Sequence, residues 1–165
     1  MGEVRVSVKI INATDEELAR RGQLPQLQVR FCVVDAMVDT GSVRTVLPIQ
    51  IVEKLGLSIR GHRMAEYADG RKESVAVTGP IVIDWEGRDT LEDALVLGDE
   101  VLIGQTVLEK LDLHVDCASR RLLPNPAHPD QPVTKVKFFS LCSEKTLDNS
   151  SFSVHGRTKF KEIAK

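Results

Sequence analysis

The stretch Met37-Val38-Asp39-Thr40-Gly41-Ser42 places one carboxylate at the end of an apolar run, and another apolar run follows over residues 43–47. Asp, Gly and Ser are common in turns, because their side-chain oxygens bond nearby backbone groups and Gly accepts positive φ. The same aspartate would be partly desolvated beside a strand, where its protonation can be tuned. The stretch therefore indicates either a turn or a catalytic loop.

Length and composition narrow the class of protein. The chain has 165 residues, of which 42% are hydrophobic, and this is enough for one domain with one core. The formal net charge of -2 shows no basic excess, so we expect no nucleic-acid partner and no membrane partner. A peptide or protein is the expected partner.

The cysteines and the N-terminal pattern indicate a cytoplasmic protein. Cys32, Cys117 and Cys142 are odd in number and widely spaced, which fits neither a disulfide framework nor a zinc module. The N-terminal residues alternate between charged and apolar, whereas a secretory signal needs an unbroken apolar run. We therefore expect reduced thiols and no export.

The N-terminal part of the chain predicts a strand, a helix and a second strand. Apolar residues alternate with polar ones from Val4 to Ile10, which is typical of a strand with one buried face. Thr14 and Glu17 have the spacing of a capping box, and they predict a short surface helix. Alternation resumes at residue 27 and predicts one long strand that leads into Asp39.

The middle of the chain predicts a meander of antiparallel strands with further short helices. Helical spacing follows Pro48 and ends at Gly56, and it recurs after Gly104. The residues Tyr67, Ala68, Asp69 and Gly70 predict the turn of an exposed hairpin, because Asp-Gly is a strong hairpin signal. Further strands are expected over residues 45–47, 75–84, 91–97, 113–117 and 121–123.

Composition changes after Pro124. Prolines become frequent, and residues 134–165 carry seven Lys or Arg against three acids. A basic, polar segment of this kind is usually solvated. The sequence thus predicts a domain over residues 1–126, followed by a Pro-containing linker and basic polar tail over residues 127–165.

Two motifs together resemble those of the retropepsin-like, retroviral-type aspartic proteases, especially small prokaryotic single-domain members. One motif is residues 37–42, the other is Leu102-Ile103-Gly104 leading into a helix, and the resemblance spans residues 4–126. It implies a mostly β fold, a single-lobe acid-protease β barrel with one or two short helices that forms a two-fold homodimer. It implies no metal and no other cofactor.

Peptide hydrolysis by this class requires a water molecule held between two carboxylates, one ionised and one protonated. This chain has one such motif, and the other aspartates considered lack an apolar strand leading into a Gly loop: Asp69, Asp99, Asp112 and Asp116. A two-fold homodimer would bring together Asp39 of each protomer. The resemblance therefore implies an aspartic endopeptidase with Asp39 as its catalytic residue.

The resemblance also implies roles for the neighbouring residues. Thr40 would bond across the dimer axis, Gly41 would let the backbone approach substrate, and Ser42 would hydrogen-bond the aspartate. The hairpin turn at residues 67–70 would form the flap over the substrate, while Ile103 and Gly104 belong to the second motif. Each of these residues could instead serve only loop architecture.

Two positions depart from the family pattern. Retropepsins commonly carry an acid directly after the active-site tetrapeptide and an Arg after the later glycine, and the two form an ion pair. Val43 and Gln105 occupy these positions here. Because both charges are missing, no charge is left buried and unpaired. The dimer must then be braced in another way.

Three other interpretations remain open. The same fold could bind a peptide or only dimerise, since fold does not fix function. A metal site could use His114, Asp116 and Cys117, with Cys32 as a further ligand, although along a strand His114 and Asp116 share one face and Cys117 lies on the other. A Cys-His nucleophile centred on Cys32 is disfavoured, because an alternating strand would bury that thiol. The remaining histidines are expected to be solvated: His62, His128 and His155.

Overall fold

A computed structural model describes residues 3–136, which form eleven strands and three short α-helices. The strands are Val4–Asn12 (β1), Phe31–Val38 (β2), Thr45–Leu47 (β3), Ile59–Glu66 (β4), Lys72–Thr78 (β5), Ile81–Trp85 (β6), Arg88–Glu92 (β7), Ala94–Val96 (β8), Leu102–Ile103 (β9), Leu113–Asp116 (β10) and Arg121–Pro124 (β11). The helices are Ala13–Arg20 (α1), Ile49–Lys54 (α2) and Gln105–Lys110 (α3), and Gln26–Gln28 forms a 3-10 turn. The mostly β fold is confirmed, with three helices in this part of the chain where one or two were expected. None of these helices is long and apolar enough to cross a membrane.

Nine of the strands form one mixed sheet in the order β4-β5-β8-β3-β9-β2-β1-β6-β7, and β10 pairs with β11. The antiparallel pairing predicted between residues 75–84 and 91–97 is present, in β6 with β7 and in β5 with β8. Two parallel pairs were not predicted, namely β2 with β9 and β3 with β8. The predicted strand over residues 75–84 is divided at Gly79-Pro80 into β5 and β6. The strand predicted over residues 91–97 is divided into β7, at one edge, and β8, in the sheet interior.

Strand β2 is shorter than predicted, and it buries the face that carries Cys32. It begins at Phe31, after the 3-10 turn, and Phe31 and Val33 are 53% and 62% exposed. Cys32 and Ala36 are buried instead, because antiparallel pairing with β1 sets Cys32 opposite the core residue Ile10. Successive side chains on a strand point to opposite faces, so this register decides which set faces the core.

Helix α1 is confirmed, but its N-terminal cap is Asn12 and not the predicted capping box. The buried Asn12 side chain accepts hydrogen bonds from the backbone N–H groups of Thr14 at 3.0 Å and Asp15 at 3.2 Å. Its amide also donates to the carbonyl of Leu55 at 3.0 Å. Asn12 therefore satisfies the first turn of α1 and joins it to the end of α2.

The core lies between the sheet and the helices α2 and α3. Its largest fully buried hydrophobic side chains are Ile10, Leu47, Leu55, Ile81, Ile83, Ile103, Val107 and Leu111. Val107 belongs to α3 and Leu111 caps it, so the helix that follows the second motif is fixed by packing. Burial of these apolar groups is the main force that holds the motif in place.

Residues 125–133 contact the domain through the buried side chain of Arg88, which is 8% exposed. Its guanidinium donates hydrogen bonds to the carbonyl oxygens of Leu111, His128 and Pro129, each with a donor–acceptor distance of 2.9 Å. Part of the segment predicted to be a linker is thus bonded to β7 and to the end of α3. The domain boundary itself stays a prediction, since residues 137–165 lie outside the described part of the chain.

A second contact with this segment centres on Asp112. Its carboxylate accepts hydrogen bonds from Asn125 at 2.8 Å and from the backbone N–H of Val133 at 3.2 Å, and it lies 2.6 Å from His128 Nδ1. The bonds from Asn125, His128 and Val133 lower the pKa of Asp112 from 3.8 to about 2. His128 was predicted to be solvated, but these contacts hold it against Asp112. His62 was also predicted to be solvated, and it is exposed. The prediction for His155 lies outside the described residues.

Candidate active site

The parallel pairing of β2 with β9 brings the two sequence motifs together. Met37 is opposite Leu102 and Val38 is opposite Ile103. Directly beyond this pair, the backbone N–H of Asp39 donates to the carbonyl of Ile103 at 3.0 Å. The aspartate therefore leaves the sheet beside the second motif, although the two motifs are far apart in sequence.

The loop that carries Asp39 is closed by short-range hydrogen bonds. Asp39 is half-buried, and its Oδ1 accepts from the backbone N–H of Gly41 at 2.9 Å, while Thr40 and Gly41 are exposed. Ser42 does not bond the carboxylate as predicted, because its hydroxyl donates to the carbonyl of Arg44 at 2.9 Å. The Ser42 backbone N–H instead donates to the Asp39 carbonyl at 3.2 Å, which completes a turn.

The first turn of α3 anchors the same loop. The N–H of Gln105 donates to the carbonyl of Ser42 at 2.7 Å, and the N–H of Thr106 donates to the carbonyl of Val43 at 3.2 Å. The Gln105 side chain donates to Glu109, and Val43 is 68% exposed. The segments that carry Val43 and Gln105 are therefore held together by two backbone hydrogen bonds, from Gln105 to Ser42 and from Thr106 to Val43.

Gly104 allows this close approach of helix and loop. A Cβ built on Gly104 would lie 2.6 Å from both the carbonyl carbon and the carbonyl oxygen of Arg44. Real Cβ atoms do not come so near backbone atoms, so any side chain here would push the loop away. Gly104 is in the second motif because of this contact, since its φ of -86° suits any residue.

Arg44 and Asp93 form an ion pair beside the loop. The sequence predicted the loop but not this ion pair. Asp93 lies between β7 and β8, so the ion pair joins the end of the candidate loop to the connection between these two strands. Both side chains are about one-third exposed, at 33% and 40%. Nothing local in the sequence indicates a partner 49 residues away.

The predicted hairpin is present as strands β4 and β5, and its role as a flap stays a prediction. At its tip, Gly70 has a φ of +81° and its N–H donates to the carbonyl of Tyr67 at 2.8 Å. Ala68 is exposed. Asp69 accepts from the guanidinium of Arg71 at 2.6 Å, and this bond lowers the pKa of Asp69. Glycine is required at the tip because few other residues adopt positive φ.

The side chain of Tyr67 is used within the hairpin. Its hydroxyl donates to Glu73 at 2.8 Å, and this hydrogen bond raises the pKa of Tyr67. The Arg71 guanidinium lies 5.1 Å from the centre of the Tyr67 ring. A role of Tyr67 in contacting substrate therefore stays a prediction, and it would require these contacts to change.

One cavity of about 770 Å³ reaches the candidate loop. Thr40 and Gln105 line one end of it, and it continues along α3 and β10 to Val133. Asp39 is not among its lining residues. A cleft over the carboxylate is thus not formed by this cavity.

The residues of the rival sites are not assembled. Cys32 is buried, as predicted, and burial raises the pKa of its thiol, while Cys117 is exposed. His114 is exposed on β10, and Asp116 accepts hydrogen bonds from the following turn, at Ala118 and Ser119. Across residues 3–136, no group of three or more His, Cys, Asp or Glu side chains is placed to hold a metal ion.

Comparison with known proteins gives matches among solved structures alone. No family model and no curated protein matches the chain. One matching structure is the EIAV protease complexed with the inhibitor HBY-793, with 16% identity and a TM-score of 0.46 over 66% of this chain and 86% of that one. Another is the retroviral protease-like domain of Ddi1 from Leishmania major, with 15% identity and a TM-score of 0.49. That match covers 76% of this chain and 90% of the Ddi1 chain. Likeness at this level concerns the fold alone and says nothing of activity, substrate or assembly.

Proposed function

We propose that this protein is an aspartic endopeptidase that acts as a two-fold homodimer, with Asp39 of each protomer as the catalytic pair. The observation that best supports the proposal is the position of Asp39 and the hydrogen bonds that hold its loop. It is half-buried in a loop that backbone bonds fix to β9 and α3, and one of its oxygens accepts the N–H of Gly41. A carboxylate held in this way is oriented for chemistry and still accessible.

One carboxylate alone supplies only one of the two carboxyl groups that the reaction needs. Two carboxylates in close contact do not both ionise, so they share one proton. The ionised group accepts a proton from the attacking water, and the protonated group donates a hydrogen bond to the peptide carbonyl. In the homodimer the two Asp39 side chains take these two roles in turn.

The exposed surface around the loop supports assembly of two chains. Thr40 and Gly41 are exposed, and the apolar side chains of Val43 and Ile49 are 68% and 46% exposed. Exposed apolar groups are covered when a second copy packs against them in a self-complementary interface. Such packing would also close the surface above Asp39 into a cleft for an extended peptide.

A matched pair of variants tests the proposal. Asp39→Asn removes the candidate carboxylate, and Asp35→Asn removes an exposed carboxylate from β2, the strand that leads into Asp39. Each protein is incubated with a peptide library from acidic to neutral pH, with and without an aspartic-protease inhibitor, after circular dichroism has verified folding. We expect cleavage by the wild type and Asp35→Asn, and none by Asp39→Asn.

Two results would overturn it. Cleavage by Asp39→Asn at the wild-type rate would assign the activity to another site or to a contaminant. No cleavage by a wild-type dimer at any pH would favour the alternative, a catalytically silent module that dimerises or binds a peptide.

A further inference from the structure

A second groove, distinct from the cavity at Thr40, lies beside the base of the flap hairpin. It has a volume of about 740 Å³, within the usual range for binding pockets, and runs from the start of β4 to the end of β7. We call it the basic groove. Its charged or titratable lining residues are Arg60, His62, Arg63, Glu92, Asp93 and Lys110.

The two acids of the basic groove are already neutralised. Asp93 pairs with Arg44, and Glu92 Oε1 lies 2.6 Å from Lys110 Nζ. Arg60 and Arg63, in contrast, form no ion pair with any residue between 3 and 136, and both are exposed. The groove therefore carries two guanidinium groups whose charge this part of the chain does not match.

A β-bulge lies where β4 borders the groove. Ile59 pairs with Thr78 and Gly61 with Val77, so Arg60 is an extra residue in β4. An extra residue interrupts the alternation of side chains between the two faces of a strand. Four consecutive residues line the groove here, and both arginines are among them: Arg60, Gly61, His62 and Arg63.

The basic groove is also connected to the candidate active site. Asp93 forms one wall and pairs with Arg44, whose carbonyl accepts the hydroxyl of Ser42. Arg44 follows Asp39 by only five positions. The Arg44–Asp93 pair therefore joins one wall of the groove to the segment that follows the active-site loop.

We propose that the basic groove binds an acidic segment of the polypeptide substrate, to one side of the bond that is cut. The proposal rests on the proposed endopeptidase function, because it names the substrate of that site. A guanidinium matches the geometry of a carboxylate and can bind it through two parallel hydrogen bonds. Two unmatched arginines in one groove favour a segment with two or more Asp or Glu residues over a neutral one.

Peptide binding to the Asp39→Asn protein tests the proposal without hydrolysis. A fluorescein-labelled peptide with four Glu residues is compared with the same peptide carrying Gln, by fluorescence anisotropy at low and moderate salt. The groove variant Arg60→Gln/Arg63→Gln is set against Lys54→Gln/Arg121→Gln, which removes two exposed charges elsewhere. We expect the Glu peptide to bind more tightly than the Gln peptide, and the groove variant to weaken it about five-fold.

Each outcome decides the proposal. Loss of the Glu preference in the groove variant alone supports it, and equal weakening in the control variant overturns it as a general charge effect. Tighter binding of a single-stranded oligonucleotide than of the Glu peptide, lost with Arg60 and Arg63, overturns it in favour of a nucleic acid. Absence of cleavage by the wild type would remove the endopeptidase function and leave the binding result standing.

Discussion

The backbone N–H of Gln105 donates a hydrogen bond of 2.7 Å to the carbonyl of Ser42, so the loop that carries Asp39 is hydrogen-bonded to the first turn of α3. Thr106 makes the same kind of bond to Val43. The first N–H groups of a helix have no partner within the helix, and the loop carbonyls satisfy them here. Loop and helix are joined without the charged pair that retropepsins commonly have at Val43 and Gln105.

Gly104→Ala should loosen this junction. Its new Cβ would lie 2.6 Å from backbone atoms of Arg44, which cannot move without moving the loop. We expect the free energy of unfolding to fall by about 1–3 kcal/mol, measured by urea denaturation. Gly61→Ala is the control, because a Cβ there meets nothing within 4 Å. Equal stability of the two variants would contradict the close contact.

Arg88→Met should be strongly destabilising. It removes the donor to the carbonyls of Leu111, His128 and Pro129, and it leaves the buried carbonyl of Leu111 without this partner. We expect the free energy of unfolding to fall by about 3 kcal/mol. Arg121→Met, on the exposed side of β11, should change it by less than about 0.5 kcal/mol. A small effect of Arg88→Met would mean that residues 125–133 do not depend on this side chain.

Asp112 should give the folded protein a dependence on acidic pH. Its folded-state pKa of about 2 lies below the ordinary value of 3.8, because Asn125, His128 and Val133 donate to the carboxylate or lie beside it. A lowered pKa adds stability above the ordinary value, and this contribution is lost as pH falls from about 4 towards 2. The melting temperature of the wild type should therefore fall more steeply over this range than that of Asp112→Asn.

Asn is the suitable replacement, because Asp112 has a φ of +53° and Asn tolerates this conformation. Asp15, whose pKa is lowered chiefly by its hydrogen bond with Arg30, contributes in both proteins and cancels in the comparison. Parallel pH curves for the two proteins would show that the Asp112 contacts do not form.

The two cysteines within residues 3–136, Cys32 and Cys117, should react at different rates. Cys117 is exposed, whereas Cys32 is buried and its pKa is raised by burial, so little thiolate is present to react. Alkylation of the native protein, followed by peptide mass spectrometry, should label Cys117 first and Cys32 only after unfolding. Similar labelling rates would be inconsistent with the buried face assigned to β2.

Sequence reasoning succeeded where a signal is local. The turn at Asp69 and Gly70, the strand end at Asp39 and the helix after Gly104 each depend on adjacent residues. It made β2 too long, because the apolar alternation extends back to residue 27 whereas the strand begins at Phe31, after a 3-10 turn. Alternation alone does not mark where a strand begins.

The contacts that fix the candidate site were also beyond sequence reasoning. The parallel pairing of β2 with β9 and the ion pair of Arg44 with Asp93 join residues distant in sequence. Ser42 illustrates the same limit. Its presence in the loop was clear, but its hydroxyl bonds the carbonyl of Arg44 and not Asp39, and only the loop geometry decides between them.

Dilution should reveal the dimer. If two chains form one site, specific activity falls as the protein concentration drops below the dissociation constant, because single protomers hold one Asp39 each. Peptide cleavage and sedimentation velocity are measured over the same dilution series. Constant specific activity in samples that sediment as monomers would rule out a shared site.

Mixing of subunits tests the central proposal most directly. Wild-type chains at a fixed concentration, above the dissociation constant, are exchanged with increasing amounts of Asp39→Asn chains, and peptide cleavage is followed. If each site needs Asp39 from both protomers, mixed dimers are inactive, and activity per wild-type chain falls to about half when the two chains are equal in amount. Activity per wild-type chain that does not change with added Asp39→Asn would contradict the shared site.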